Sequence, residues 1–448
     1  MDTTIDNTIG KIRSTRHRWL TATCALAVVF AAGLWSGLAY GQAGETLRAL
    51  TTFGSNGWLA PGSISYLTTN DTQRGLAWNP VTKNLILVSR TNTNVVGSST
   101  NVVVLDGLTG TVTGTLSTTG VVGGNFAVNT AGVGDDGQVY VANLRSGATG
   151  TSATNFFKVY KWTTETSTSA PTLAFQVAVP FSQSGTNPNF ATGWRFGDAF
   201  AVRGSGTATR FVVAGSSSGS SSGNLNNGNF MLGSLDGSNF NTIYRTISPG
   251  SSASSNGYRL GLTWVDDDTI IGLQGGPALT TDFIASGSGQ TTSGATVTAQ
   301  IVTGTSANFG NNTNLRQIDY LEMAGKKYAA SIVTGTFGNG NRVEVYDISS
   351  GTQALLVAAL NNTLSGTGVV ANGNATGAVQ FAEVTQPAPE SPWYYETKLY
   401  AMNTNNGVQA MIFSVPEPST WAMLATGAGL CGWAGRRRRL RSPGARIR

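Results

Sequence analysis

The chain has 448 residues, of which 40% are hydrophobic and only 11% charged, with 58 glycines. That apolar content excludes a wholly disordered chain, and a low-charge composition rich in Gly, Ser, Thr and Asn fits an exported β-protein better than a cytoplasmic enzyme. The formal charge of +6 does not mark a nucleic-acid partner, because it sits at the chain ends: residues 44–415 hold 17 basic and 19 acidic residues.

The first 43 residues read as a secretory signal peptide. Lys11, Arg13, Arg16 and Arg18 precede an almost unbroken apolar run, Trp19 to Leu38, and small-residue exits follow at Ala39-Tyr40-Gly41 and Gly41-Gln42-Ala43. Basic region, apolar region and small-residue exit are the three parts of such a signal. Cys24 precedes most of the apolar run, so it does not mark a lipoprotein site. The other cysteine is Cys431 and the single histidine is His17. The expected mature domain, residues 44–414, therefore contains neither residue type. Export would permit disulfides, but none can form there. Histidine- and cysteine-based triads and thiolate or imidazole zinc sites are excluded as well, and no cofactor is expected.

The middle of the chain repeats. Arg74–Pro80, Asn84–Arg90, Asn101–Asp106 and Thr109–Leu116 are four short β-rich runs separated by turn residues. Comparable groups begin near 124, 196, 259, 317 and 378, and the last has three runs, Ala378–Val384, Lys398–Asn403 and Gln409–Phe413. Asp136-Gly137 and Asp236-Gly237 stand at hairpin positions. Four-stranded units at a period somewhat above the usual blade length of about 40–50 residues predict an all-β fold, a β-propeller of about six or alternatively seven blades. A long β-solenoid and a pair of sandwiches are the competing architectures. The segment Thr46–Leu59 is expected to supply the missing last strand, closing the ring and removing its free edges.

Within these units, Val102-Val103-Val104-Leu105-Asp106 followed by Thr109-Gly110 resembles the repeat of bacterial surface β-propellers of the YVTN type, and Val343–Asp347 with Ser350-Gly351 repeats its first half. The resemblance implies that Asp106 and Asp347 cap the turns that follow them.

What chemistry remains is carboxylate chemistry and aromatic contact. Asp266, Asp267 and Asp268 are the densest acidic run; hard oxygen ligands suit Ca²⁺, but an Asp-rich turn between two strands is the plainer reading, and no metal is expected. Asp198, Asp319 and Glu383 fall at similar places in the first strand of three successive units. First strands line a propeller's channel, so the three are candidate channel carboxylates. A glycosidase would need two of them about 5–10 Å apart. Trp393, Tyr394 and Tyr395 are candidate ligand-binding aromatics, with Trp58 and Trp194 also near loops, since ring faces stack on sugars; a packed inter-strand plug is the competing role for 393–395. Trp78, Trp162 and Trp264 are expected in the core.

The C-terminal segment, 415–439, is the most specific feature. Pro416-Glu417-Pro418 leads into the apolar run Trp421–Gly435, which stops at Arg436-Arg437-Arg438-Arg439, and a basic tail, 440–448, follows. The two prolines keep the box extended. The run is short for a spanning helix, and the arginines should hold its far end in the cytoplasm. These residues resemble the PEP-CTERM sorting signal of Gram-negative bacteria. The resemblance implies a C-terminal transmembrane helix, processing by an exosortase-type membrane enzyme, and association with exopolysaccharide and biofilm. It also implies an inner-membrane-anchored intermediate with its ectodomain in the periplasm, then a place at the cell surface or in the matrix. The expected function is non-enzymatic binding of exopolysaccharide or protein, with no nucleic-acid partner. The alternatives are a carboxylate-based glycan hydrolase or lyase, and a self-assembling structural matrix protein.

Overall fold

The computed structural model describes residues 44–90, 100–146, 156–178, 195–216, 229–235, 240–247, 260–267, 269–273, 278–284, 290–291, 301–303, 307–308, 315–333, 342–351, 354–361, 370–385 and 394–416. The expected signal peptide, 1–43, and the sorting segment and basic tail beyond Pro416 lie outside them. Among the described residues no helix is long and apolar enough to cross a membrane.

Among the described residues the fold is all-β, apart from one 3-10 turn at Gly206–Ala208. Its logic is visible in the strand Asn84–Arg90, which is buried along nearly its whole length rather than on alternate residues. Such a continuous apolar run is the mark of a strand covered on both faces. Side chains alternate between the two faces. Leu85 and Leu87 join Val103, Leu105, Tyr400 and Met402 in one core. Ile86 and Val88 join Val102, Val104, Val139 and Val141 in the next. Each sheet is thus packed between two others.

The sheets have a propeller-like arrangement of antiparallel meanders. Gln73–Trp78, Asn84–Arg90, Thr100–Asp106 and Val112–Leu116 form one sheet in chain order, and Leu315–Met323, Lys326–Val333, Arg342–Asp347 and Leu355–Asn361 form another. A third contains Leu262–Trp264, Thr269–Leu273, Ala278–Ile284 and Ile301–Thr303. A nine-stranded sheet joins two further meanders, Phe126–Ala178 and Arg195–Ile247, through pairing of Arg195 with Ser146 and Phe196 with Arg145. The innermost strands make a closed circuit: Gln73–Trp78 lies against both Phe126–Val133 and Gly377–Thr385, and Arg195–Arg203, Leu262–Trp264 and Leu315–Met323 complete it.

The closure expected from the chain start is present. The last meander is Gly377–Thr385, Tyr394–Asn403 and Gly407–Pro416, and its outer strand is Thr46–Ala49, with Thr46 opposite Ser414 and Ala49 opposite Met411. Trp58–Leu59 pairs with Gly407–Pro416 as well. Phe53, Leu59 and Leu67 carry this segment into the core, and each fully buried apolar side chain contributes roughly 1.5–3 kcal/mol. The last strand runs to Pro416, two residues past the domain boundary expected at 414. Gly407 turns into it at φ +80°, where a Cβ would meet the Leu59 carbonyl oxygen at 1.9 Å.

The turn caps follow the sequence pattern. The Asp106 carboxylate accepts from the Leu108 and Thr109 amides at 3.0 and 2.7 Å and from the Thr109 hydroxyl at 2.8 Å. Asp347 accepts from the Ser349 amide at 2.9 Å. At Asp136-Gly137 the glycine takes φ +81°, the left-handed conformation that favours glycine in tight turns. Asp236-Gly237 lies outside the described residues.

Candidate functional site

Innermost strands start at the mouth of the central channel, and most of them are irregular there. Register shifts occur between Gln73 and Gly75, Phe126 and Thr130, Phe196 and Ala199, and Arg316 and Asp319. A bulge leaves residues without a ladder partner and re-aims their side chains. The residues at these irregularities include Arg74, Asn129, Asp198 and Gln317. Gly197 permits one of these bulges at φ +101°, since a Cβ would meet the Asn143 carbonyl oxygen at 2.0 Å.

These strands enclose a cavity lined by side chains and backbone from every innermost strand, including Arg74, Thr130, Asp198, Gly261, Gln317 and Gly377. Arg74 is 5% exposed. Its Nε donates to the Asp71 carbonyl oxygen at 3.1 Å, and its Nη1 donates to Thr376 Oγ1. Thr376 and Thr404 share a hydroxyl contact of 2.9 Å, and Thr404 Oγ1 donates to the Gln73 carbonyl at 2.8 Å. Arg90, 6% exposed, donates from Nη1 to Asn129 Oδ1 at 2.8 Å and lies 3.3 Å above the Phe126 ring centroid. Asn129 in turn donates to the Gly197 carbonyl at 2.6 Å. Burial, with Arg74 as a like charge nearby, pushes the Arg90 guanidinium down to about 8; burial also lowers Arg74.

The candidate carboxylates part company. Asp198 lines the cavity and is held by Arg195 in a two-bond fork, with Nη2 donating to Oδ1 at 2.8 Å and Nε to Oδ2. Asp319 is buried and ties neighbouring strands together: its Oδ1 accepts from Thr263 Oγ1 at 2.8 Å and its Oδ2 from the Phe381 amide at 2.6 Å. Desolvation pushes it up to about 6. Glu383 is half exposed and pairs with Lys83 on the turn between Gln73–Trp78 and Asn84–Arg90, so neither it nor Asp319 is among the residues lining the cavity.

Asp267 accepts from Arg203 Nε at 2.7 Å on an exposed turn. Among the described residues no group of three or more His, Cys, Asp or Glu is placed to hold a metal, and Asp268 lies outside them. Tyr395 is half buried against the core of the last meander, Tyr394 pairs with Pro416, and Trp393 and Trp194 lie outside the described residues. Trp58 is partly buried, donating from Nε1 to the Asn406 carbonyl at 2.9 Å. Trp78 stacks on Tyr400 at 5.3 Å, while Trp162 and Trp264 are buried. Arg74 and Arg90, the most unusual residues of the site, were not singled out by sequence reasoning. The available signal was a lone charge at the edge of each of two otherwise uncharged strand runs, RGLAW and NLILVSR.

This is a propeller-like all-β protein with a polar channel mouth. Residues 414–439 match the PEP-CTERM protein-sorting motif, so the chain carries the class of signal expected for an exosortase-type enzyme and for export to the cell surface. The matched span begins inside the last strand. No curated protein matches the chain in sequence. Similar solved structures include KlAtg21 in complex with a coiled coil (14% identity, 53% of this chain and 58% of that chain, TM-score 0.30). Sqt1 of Chaetomium thermophilum is similar over 76% of this chain and 86% of its own (10% identity, TM-score 0.39). YCF48 of Cyanidioschyzon merolae is similar over 76% and 95% (11% identity, TM-score 0.31). The chain thus spans 58% of the first of these structures.

Proposed function

We propose that this chain is an exported six-bladed propeller, handed through its C-terminal motif to an exosortase-type membrane enzyme. At the cell surface or in the extracellular matrix it binds exopolysaccharide without turning it over. The sorting motif at 414–439 carries this reading. The blade count is supported by the circuit of innermost strands and by counting the nine-stranded sheet as two meanders. The non-enzymatic reading is supported by the separate engagement of the three candidate carboxylates: Asp198 is taken by Arg195, Asp319 by Thr263 and Phe381, and Glu383 by Lys83 away from the cavity. A carboxylate-based glycosidase needs two carboxyl groups facing one glycosidic bond.

The test is twofold. Removing the exosortase-type enzyme from the producing cell should leave the protein in the membrane fraction with its arginine cluster attached, by mass spectrometry. The purified protein should co-sediment with the producer's own polysaccharide and release no new reducing ends from it. Release of reducing ends would overturn the binding-only reading, and absence of co-sedimentation would remove the polysaccharide as partner.

A further inference from the structure

The two ends of the propeller differ in what they expose. At the channel mouth lie the starts of the innermost strands and the connections that leave after Arg90, Ser146, Ser216 and Val333. Hairpins such as 78–84 and 323–326 occupy the opposite end. The last strand, Gly407–Pro416, runs from the mouth towards that opposite end and finishes there, close to the start of the closing strand at Thr46.

Exposed large apolar side chains are divided unevenly between these ends. Among the described residues, Val122 and Val370 lie towards the mouth, and the Val370 amide donates to Asn406 Oδ1 at 2.9 Å in the turn that starts the last strand. Val81, Leu108, Val112, Leu173, Leu355, Leu356 and Val384 lie at the end where Pro416 leaves. Leu355 is 66% exposed and Val81 57%. Contacts between the sheets bring several of them together. Lys83 pairs with Glu383, which sets the hairpin holding Val81 beside Val384, and Gly107, next to Leu108, packs against the Lys83 carbonyl. On the other side Lys326 pairs with Glu45 at 2.6 Å and with Asp347 at 3.2 Å, and Asp347 stands opposite Leu355. Single exposed apolar side chains are ordinary. Their gathering at one end, from four meanders, suits a broad apolar partner rather than one small epitope.

The reach of the chain fixes what that partner is. Five residues lead from Pro416 to Trp421, where the apolar run begins, and five extended residues span at most about 18 Å. The headgroup layer takes up roughly 5–7 Å of this. On the membrane-anchored reading above, Pro416 therefore stays within about 10 Å of the lipid surface. The run 421–435 has 15 residues, fewer than the about 20 that a hydrocarbon core takes, so it adds no slack. Gly407–Pro416 is 10 residues long, which puts its mouth end roughly 30 Å further along the strand.

We propose that the end carrying Val81, Leu108, Leu355, Leu356 and Val384 rests on the lipid surface of the membrane while the sorting segment is attached. The contact turns the channel mouth away from the membrane and holds the Pro-Glu-Pro box at headgroup level. The occupant is the bilayer surface itself, and the contact is apolar: the nearby acidic groups Glu45, Glu383 and Glu396 are each held in an ion pair. This inference rests on the anchored step of the proposed sorting route and not on polysaccharide binding.

The experiment uses the full-length protein from cells lacking the exosortase-type enzyme, reconstituted in phosphatidylcholine vesicles with or without lipid that carries a nitroxide near the headgroup. A bimane label is placed by Leu355→Cys, Leu108→Cys or Val370→Cys, in a background of Cys24→Ser and Cys431→Ser. Labels replacing Leu355 and Leu108 should be quenched at least twofold more by the nitroxide lipid than the label replacing Val370. Sodium chloride should leave the quenching unchanged, because salt screens charges and not apolar contacts. Leu355→Glu combined with Leu356→Glu should at least halve the quenching of the Leu108 label. If that double variant fails to fold by circular dichroism, the three label positions decide alone. Equal quenching at all three, or strongest quenching at Val370, would overturn the proposal. Quenching of the Leu355 and Leu108 labels that needs the enzyme added back would overturn it as well, with the enzyme as the occupant. Protein that floats with the vesicles yet shows no quenching at Leu355 and Leu108 would overturn this face and leave the sorting route standing. Protein that does not float with them would remove the anchored step, and the contact with it.

Discussion

Thr46 stands opposite Ser414 in an antiparallel ladder, so the first described strand completes the sheet to which the last described strand belongs. The register continues through Leu47 and Phe413, and the Arg48 guanidinium reaches Glu396 at 3.1 Å. Ring closure by the two chain ends leaves the last meander dependent on a segment made long before it. Stability of the whole domain should therefore respond to changes in that segment.

Phe53 tests this directly. It is fully buried, 6.0 Å from the Tyr400 ring, and Tyr400 donates to the Gly107 carbonyl in the first sheet at 2.6 Å. Phe53→Ala should cost about 3–5 kcal/mol, measured by chemical denaturation in a single transition. Val81→Ala, at an exposed position, should stay within about 0.5 kcal/mol of the wild type.

The Arg195–Asp198 fork should behave as a unit. Arg195→Met strands a buried carboxylate and should destabilise by about 3–5 kcal/mol. Pairing it with Asp198→Leu should recover most of that loss, so the double-variant cycle reports a coupling of at least about 1 kcal/mol. Additive losses would contradict the pairing seen in the channel.

Asp319 predicts a pH dependence. Its carboxyl, held up to about 6 by desolvation, binds its proton more tightly in the folded than in the unfolded protein. The favourable contribution is therefore complete below about pH 4 and is lost as pH rises towards 6. The stability of wild type minus that of Asp319→Asn should fall across this window, by up to about 3 kcal/mol. A flat difference between pH 4 and 6 would show that the carboxyl titrates normally.

The sorting box makes a prediction about processing rather than stability. Pro416 ends the last described strand, paired with Tyr394, so the matched motif begins within that strand. Glu417→Ala should leave the domain's melting temperature unchanged, yet keep the arginine cluster on the protein recovered from cells, by mass spectrometry of its C-terminus.

Much of this protein is legible from local pattern. Runs such as NVVVLD and RVEVYD, bounded by Thr-Gly and Ser-Gly, specify strands and Asp-capped turns because a side chain two or three residues away is enough to satisfy the turn amides. The need to cover two sheet edges pointed to Thr46–Leu59 as the closing segment. The sorting box was legible without the fold, since its Pro-Glu-Pro, apolar run and arginine cluster are contiguous in sequence.

The site was not legible in the same way. Asp198, Asp319 and Glu383 occupy similar places in their strands, yet one lines the cavity, one clasps its neighbours and one pairs with Lys83 outside it. Strand order alone cannot separate them, because bulges at the channel mouth change which way each residue points. Arg74 and Arg90 are buried only because the inner strands and the second strand of the first sheet pack together. Sequence determined the strands, their turns and the address label; tertiary structure decided which charges meet, because burial and counter-charge depend on neighbours far away along the chain.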